Sequence, residues 1–107
     1  MIIEKNAMAC NRLMQLVRDF SLRTKGWETA IRYETSFDER HDVTLVSQRV
    51  YGRRNEFLVI MAAAGMGTAD EVLEEQVLVL PTESQLTALK ARAGYENNAQ
   101  KRAFFDL

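Results

Sequence analysis

Arg49, Arg53 and Arg54 stand close to Tyr51 and Phe57. Arginines interleaved with aromatics can hold a phosphate chain by charge and stack bases on the rings. The cluster is small, and Asn55 and Glu56 follow at once. The same residue types suit the rim of a protein interface, where Arg and Tyr are enriched. Nucleic acid is therefore the weaker expectation. His41 is the chain's single histidine, the residue type that titrates near neutrality. It lies among Asp38, Glu39 and Asp42 in an expected turn tip, where a general base finds neither a pocket nor an orienting partner. Cys10, the single cysteine, falls on the apolar stripe of an expected helix and reads as core filler. Asp70, Glu71, Glu74 and Glu75 would make two i, i+4 carboxylate pairs on a helix, but no Asp-x-Asp-x-Asp-Gly loop accompanies them. Gly65-Met66-Gly67 begins a phosphate-binding pattern that Asp70 breaks, and no G-x-S-x-G surrounds any serine. No catalytic residue, cofactor-binding residue or metal ligand is assigned on this basis, and no enzymatic activity is expected.

The elements that would carry these residues follow from periodicity. Cys10, Leu13, Met14, Val17 and Phe20 recur at helical spacing, which predicts a helix over residues 6–24 with Asn6 as N-cap and Gly26 just past its end. Past Gly26 the period changes to two. Trp27, Thr29, Ile31, Tyr33, Thr35 and Phe37 alternate with mostly polar residues and predict a long strand. A turn at 38–41 then leads to a second strand over 42–51, completing a projecting Trp27–Tyr51 hairpin whose register stays open. Glu56–Ala64 is apolar on both parities and predicts a central third strand, and Gln76–Leu80 a short fourth. Residues 68–75 fit either one or two helical turns or an acidic loop. Thr82 with Gln85 forms a capping-box pair opening a helix to about Ala93, with Gly94 as its stop and a short tail helix to follow. The expected fold is α+β in one domain over 1–107: an N-terminal helix, an antiparallel sheet of about four strands with a long hairpin, and C-terminal helices.

Composition bounds the class. The chain has 107 residues, 47 % of them hydrophobic and 27 % charged, and one cysteine. That is enough apolar material for a folded domain, and no intrachain disulfide is possible. Net charge is −1, with a local excess of three positive charges over residues 1–26 and four negative charges over 68–80. Opposite patches suit docking, and they also arise on any solvated surface. Neither a membrane-spanning run nor a signal peptide is visible, so residence in the cytoplasm or within an assembled particle is expected, with no membrane partner.

The predicted sheet carries more apolar surface than two or three helices can cover, and Phe104 and Phe105 add to it. Trp27, Tyr51, Arg53, Arg54, Phe104 and Phe105 are accordingly the candidate interface residues, with the chain itself or other structural proteins as partners. In outline, a single helix, a long-stranded sheet with the Trp27–Tyr51 hairpin and a helix entered through Leu80-Pro81-Thr82 resembles the small structural proteins of tailed-phage virions. That resemblance implies a ring-forming joint in a neck, tail or baseplate, and it carries over no functional residue. The expected function is a non-enzymatic structural or adaptor subunit. A small-molecule or regulatory binding module, or a weak nucleic-acid binder using Arg49, Arg53 and Arg54, is the alternative.

Overall fold

The computed structural model describes residues 2–68 and 70–95, with side chains from residue 7 onward. The first helix, α1 (Ile2–Arg23), buries Leu13 and Val17 and packs Met14, Leu16 and Phe20 against them, so the predicted stripe is the buried face. Its end is tied off by the Thr24 hydroxyl, which donates to the Phe20 carbonyl at 2.6 Å. Gly26, expected as a left-handed stop, is not among the positive-φ glycines.

The period-two segment yields only a short strand, β1 (Ile31–Glu34). It runs antiparallel to β2 (Val77–Leu80), pairing Ile31 with Leu80, Tyr33 with Leu78 and Glu34 with Val77. The expected strand over 42–51 is instead a helix, α2 (Val43–Tyr51), which removes the Trp27–Tyr51 hairpin. Its mixed parity is helical spacing: Val43, Val46, Ser47 and Tyr51 are buried and Val50 half-buried, one face at i, i+3, i+4, i+7 and i+8. Asp42 caps it, its carboxylate accepting from the Thr44 and Leu45 amides, and Gly52 closes it at φ +74°.

The expected third strand is likewise helical. A 3-10 turn at Arg54–Glu56 runs into α3 (Phe57–Ala64), whose Val59, Ile60, Met61, Ala62 and Ala63 are all buried. An apolar run buried on every side reads alike as a covered strand or a covered helix. Here leucine, methionine and three consecutive alanines favour the helix. Gly65 ends it at φ +74°, and Arg18 of α1 reaches across to donate to the Ala63 carbonyl at 3.0 Å. The described part of the acidic segment 68–75 forms no helix.

The last helix, α4 (Glu83–Ala93), starts as predicted. Thr82 and Gln85 cap each other reciprocally, and Gly94 closes the helix at φ +72°. Among the described residues the fold is therefore mixed helix and sheet, with four α-helices and one two-stranded antiparallel sheet, rather than about four strands. The strands bracket α2 and α3. Outside them α1 and α4 pair antiparallel, with Leu16 and Phe20 beside Leu89, and Met8 and Ala9 beside Ala93. The buried side chains of all these elements form one contiguous cluster. Among the described residues, no helix is long and apolar enough to cross a membrane.

Candidate interaction surface

Three of the arginines singled out in the sequence are each satisfied by carboxylates within the chain. Arg49 spans two acids, with Nη2 2.7 Å from Asp38 and Nη1 2.9 Å from Glu39. Arg53 forks onto Glu83 at 3.0 Å through both terminal nitrogens and lies 3.5 Å from Glu56. Arg54 donates to the Thr44 hydroxyl at 2.8 Å and lies 3.6 Å from Asp42. The arginine–aromatic cluster thus presents neutralised pairs rather than a bare cationic strip, which removes the main attraction for a phosphate backbone. Tyr51 faces inward, its hydroxyl donating to the Pro81 carbonyl at 2.7 Å. Burial, then the nearby Glu56 and Glu83 charges, holds its phenol well above the ordinary tyrosine range.

Two carboxylates to which the sequence alone assigns no role are the most enclosed charges among the described residues. Glu39 is 0 % exposed. One of its oxygens accepts from the Tyr33 hydroxyl at 2.5 Å and from Arg49, the other from the Ser36 amide at 2.7 Å. Burial alone would raise its pKa. The bonds from Tyr33, the Ser36 amide and Arg49 outweigh that and hold the carboxyl below its ordinary range. Asp38 is lowered further by Arg49 and the Ser36 hydroxyl. Glu56 is 2 % exposed and accepts from Lys90 of α4 at 2.7 Å. These networks lace β1 to α2, and the 3-10 turn to α4. In them the Ser36 hydroxyl donates to Asp38 at 2.5 Å, and each carboxylate is also bonded by a cation. The clue in the sequence was Ser36-Phe37-Asp38-Glu39, an S-x-x-E capping pattern.

The remaining chemical candidates stay apart. His41 is exposed. Cys10 is partly buried, and desolvation raises its thiol, which keeps it protonated. Among the described residues, no group of three or more His, Cys, Asp or Glu side chains is placed to hold a metal ion. The hollow between the C-terminal half of α1 and α4 is open and encloses about 280 Å³, with Asp19, Arg23, Glu28 and Arg92 around its rim.

A few large apolar side chains stand in solvent. Trp27 is 80 % exposed, with the Lys25 ammonium 5.3 Å over its ring, and Leu22 lies exposed nearby in the chain at the end of α1. At the other end of the sheet Phe37 is 69 % and Val77 59 % exposed. Val77 sits opposite Glu34, and Phe37 follows three residues after that strand ends. The segment holding exposed Val72 is drawn to the same end, because Leu73 donates its amide to the Arg40 carbonyl at 2.8 Å. Phe104 and Phe105 lie outside the described residues. No family model matches the chain, and no curated protein or solved structure is significantly similar to it. The surface must therefore be read on its own terms.

Proposed function

We propose that this chain is a non-enzymatic structural or adaptor subunit that docks on itself or on other proteins of a larger assembly, such as the neck, tail or baseplate of a tailed-phage virion. The reading rests on one observation: large apolar side chains are left in solvent at both ends of a small sheet, Trp27 and Leu22 at one and Phe37, Val72 and Val77 at the other. A surface that leaves large apolar side chains uncovered favours contact with another protein where they form a patch. The ionisable groups support the same reading, because the buried carboxylates and the interleaved arginines are consumed in bonds that hold elements together. A small-molecule module would call for an enclosed apolar pocket with a few convergent polar groups. The open, charge-rimmed hollow beside α4 is a poor match.

The test is co-expression with the products of adjacent genes, followed by native mass spectrometry of the purified material. A defined complex, with itself or a neighbour, is expected. It should be lost when Phe37 and Val77 are changed to serine, with the melting temperature kept. A chain that stays monomeric at every concentration and engages no neighbour would refute the reading.

A further inference from the structure

We infer that the outer edge of β1 is a self-pairing site, at which two copies of this chain join their sheets antiparallel about a two-fold axis through Tyr33. The inference rests on the adaptor reading above and names its partner, a second copy. β1 has β2 as its substantial neighbour, whereas β2 also packs on α1 and α3. Backbone groups of an antiparallel strand point alternately toward and away from the neighbour. Thr35 donates its amide to the Gln76 carbonyl at 2.8 Å, so residues 31, 33 and 35 face β2. Arg32 and Glu34 therefore turn their N–H and C=O groups to the other side. The geometry across the sheet agrees. Val79, opposite Arg32, also points outward, and its carbonyl accepts from Ser21 of α1 at 2.6 Å. One edge of the sheet is thus capped by a helix, and the other, among the described residues, presents two donors and two acceptors. A two-stranded sheet is marginal, and a paired edge would make it four-stranded.

Charge selects the occupant. Three two-fold registers match outward groups with outward groups. Centring on Arg32 or on Glu34 sets that residue opposite its own copy, and like charges directly opposite repel. Centring on Tyr33 sets Arg32 opposite Glu34 of the partner subunit, and Glu34 opposite Arg32 of the partner subunit. Both side chains are exposed on one face of the sheet, so both cross-strand pairs form. The strand is self-complementary in the one register that its backbone and charges both permit, as an isologous contact requires. The Arg32 guanidinium uses Nη2 on the Lys25 and Glu28 carbonyls, which leaves its other donors for the partner.

The experiment is sedimentation of the full chain over a wide concentration range, alone and as Arg32→Glu, Glu34→Arg and the double variant, with a thermal melt of each. Wild type is expected to dimerise. Each single variant converts two attractive pairs into two repulsive ones and should weaken the dimer by roughly tenfold. The double variant exchanges the charges and should restore it. The two single variants mixed together should pair with each other, because every cross-strand pair is then again of opposite sign. A wild-type chain that is monomeric throughout overturns the self-pairing, as does a folded double variant that stays as weak as the singles. If such a monomer still forms a complex with a neighbouring gene product, the self-pairing alone falls and the adaptor reading stands.

Discussion

Replacing Glu39 by glutamine tests the account of what holds β1 to α2. The carboxylate is fully enclosed and accepts on both oxygens: from Tyr33 at 2.5 Å and Arg49 at 2.9 Å on one, and from the Ser36 amide at 2.7 Å on the other. A glutamine presents an acceptor on one side only. Its NH2 must then face either the Ser36 N–H or the Arg49 guanidinium, donor against donor. A hydrogen bond to a charged group is worth about 1.5–3 kcal/mol, and a buried donor left unmet costs about 1–3 kcal/mol. Arg49 is more than a third exposed and keeps Asp38, so its share is small. The expected loss is therefore about 2–3 kcal/mol, a large part of the ~5–15 kcal/mol by which domains are stable. Urea unfolding at neutral pH should show a lower midpoint with an unchanged slope. A cycle with Tyr33→Phe should show coupling of about 1 kcal/mol, since the two share one bond. The pH dependence follows from the sign of the shift. Glu39 is lowered from its ordinary 4.5, so its contribution is complete above that value and is lost as pH falls through the folded pKa. The gap between wild type and Glu39→Gln should close in acid. A variant within about 0.5 kcal/mol of wild type at neutral pH, the range of ordinary surface changes, would refute the reasoning.

Further expectations can be checked with the same purified protein. Lys90→Met strips the closest cation from the enclosed Glu56, 2.7 Å away, and should cost about 2–4 kcal/mol in urea melts; an unchanged midpoint would show the pair to be idle. Gly65→Ala combines φ +74° with a new methyl 3.1 Å from the Arg18 guanidinium, whereas at Gly94, φ +72°, the methyl meets nothing among the described residues. Both should destabilise by about 1 kcal/mol for the backbone, and Gly65→Ala by clearly more; equal losses would mean that the Arg18 contact is slack. Burial raises Tyr33, Tyr51 and Tyr95 above their ordinary 10, with Glu39 adding to the first and Glu56 to the second. Stability from these phenols is present below pH 10 and lost as pH rises through the folded values. Phenolate absorbance of the native chain should therefore lag that of the chain in urea, and coincident titrations would contradict the placement of the rings.

The helices that flank the fold are legible, α1 from its apolar stripe although Asn6 lies inside it rather than at its cap, and α4 from its caps. Leu13 and Val17 mark the buried side of α1, and Thr82, Gln85 and Gly94 mark both ends of α4. Val77–Leu80 was legible as a short apolar run after an acidic stretch and before Pro81. The middle misled for a physical reason. Val43, Val46, Val50 and Tyr51 are β-branched or aromatic, a strand preference worth only tenths of a kcal/mol per residue, and the Asp42 cap with a buried helical face overrides it. Alternation over Trp27–Phe37 held for eleven residues, yet pairing lasts only where β2 supplies a partner, which is four. The candidate surface was legible in Trp27 and not in Phe37 or Val77, whose exposure depends on where the sheet ends. Tyr51 and Arg53 carry contact chemistry in the sequence, but the folded chain turns the ring toward the Pro81 carbonyl and the guanidinium toward Glu83.

The first half of α1 lies against the end of α4, with Met8, Ala9 and Arg12 lining one hollow together with Ala93 and Gly94. Loosening either the first half of α1 or the last turn of α4 therefore uncovers the other as well, and the two should open together.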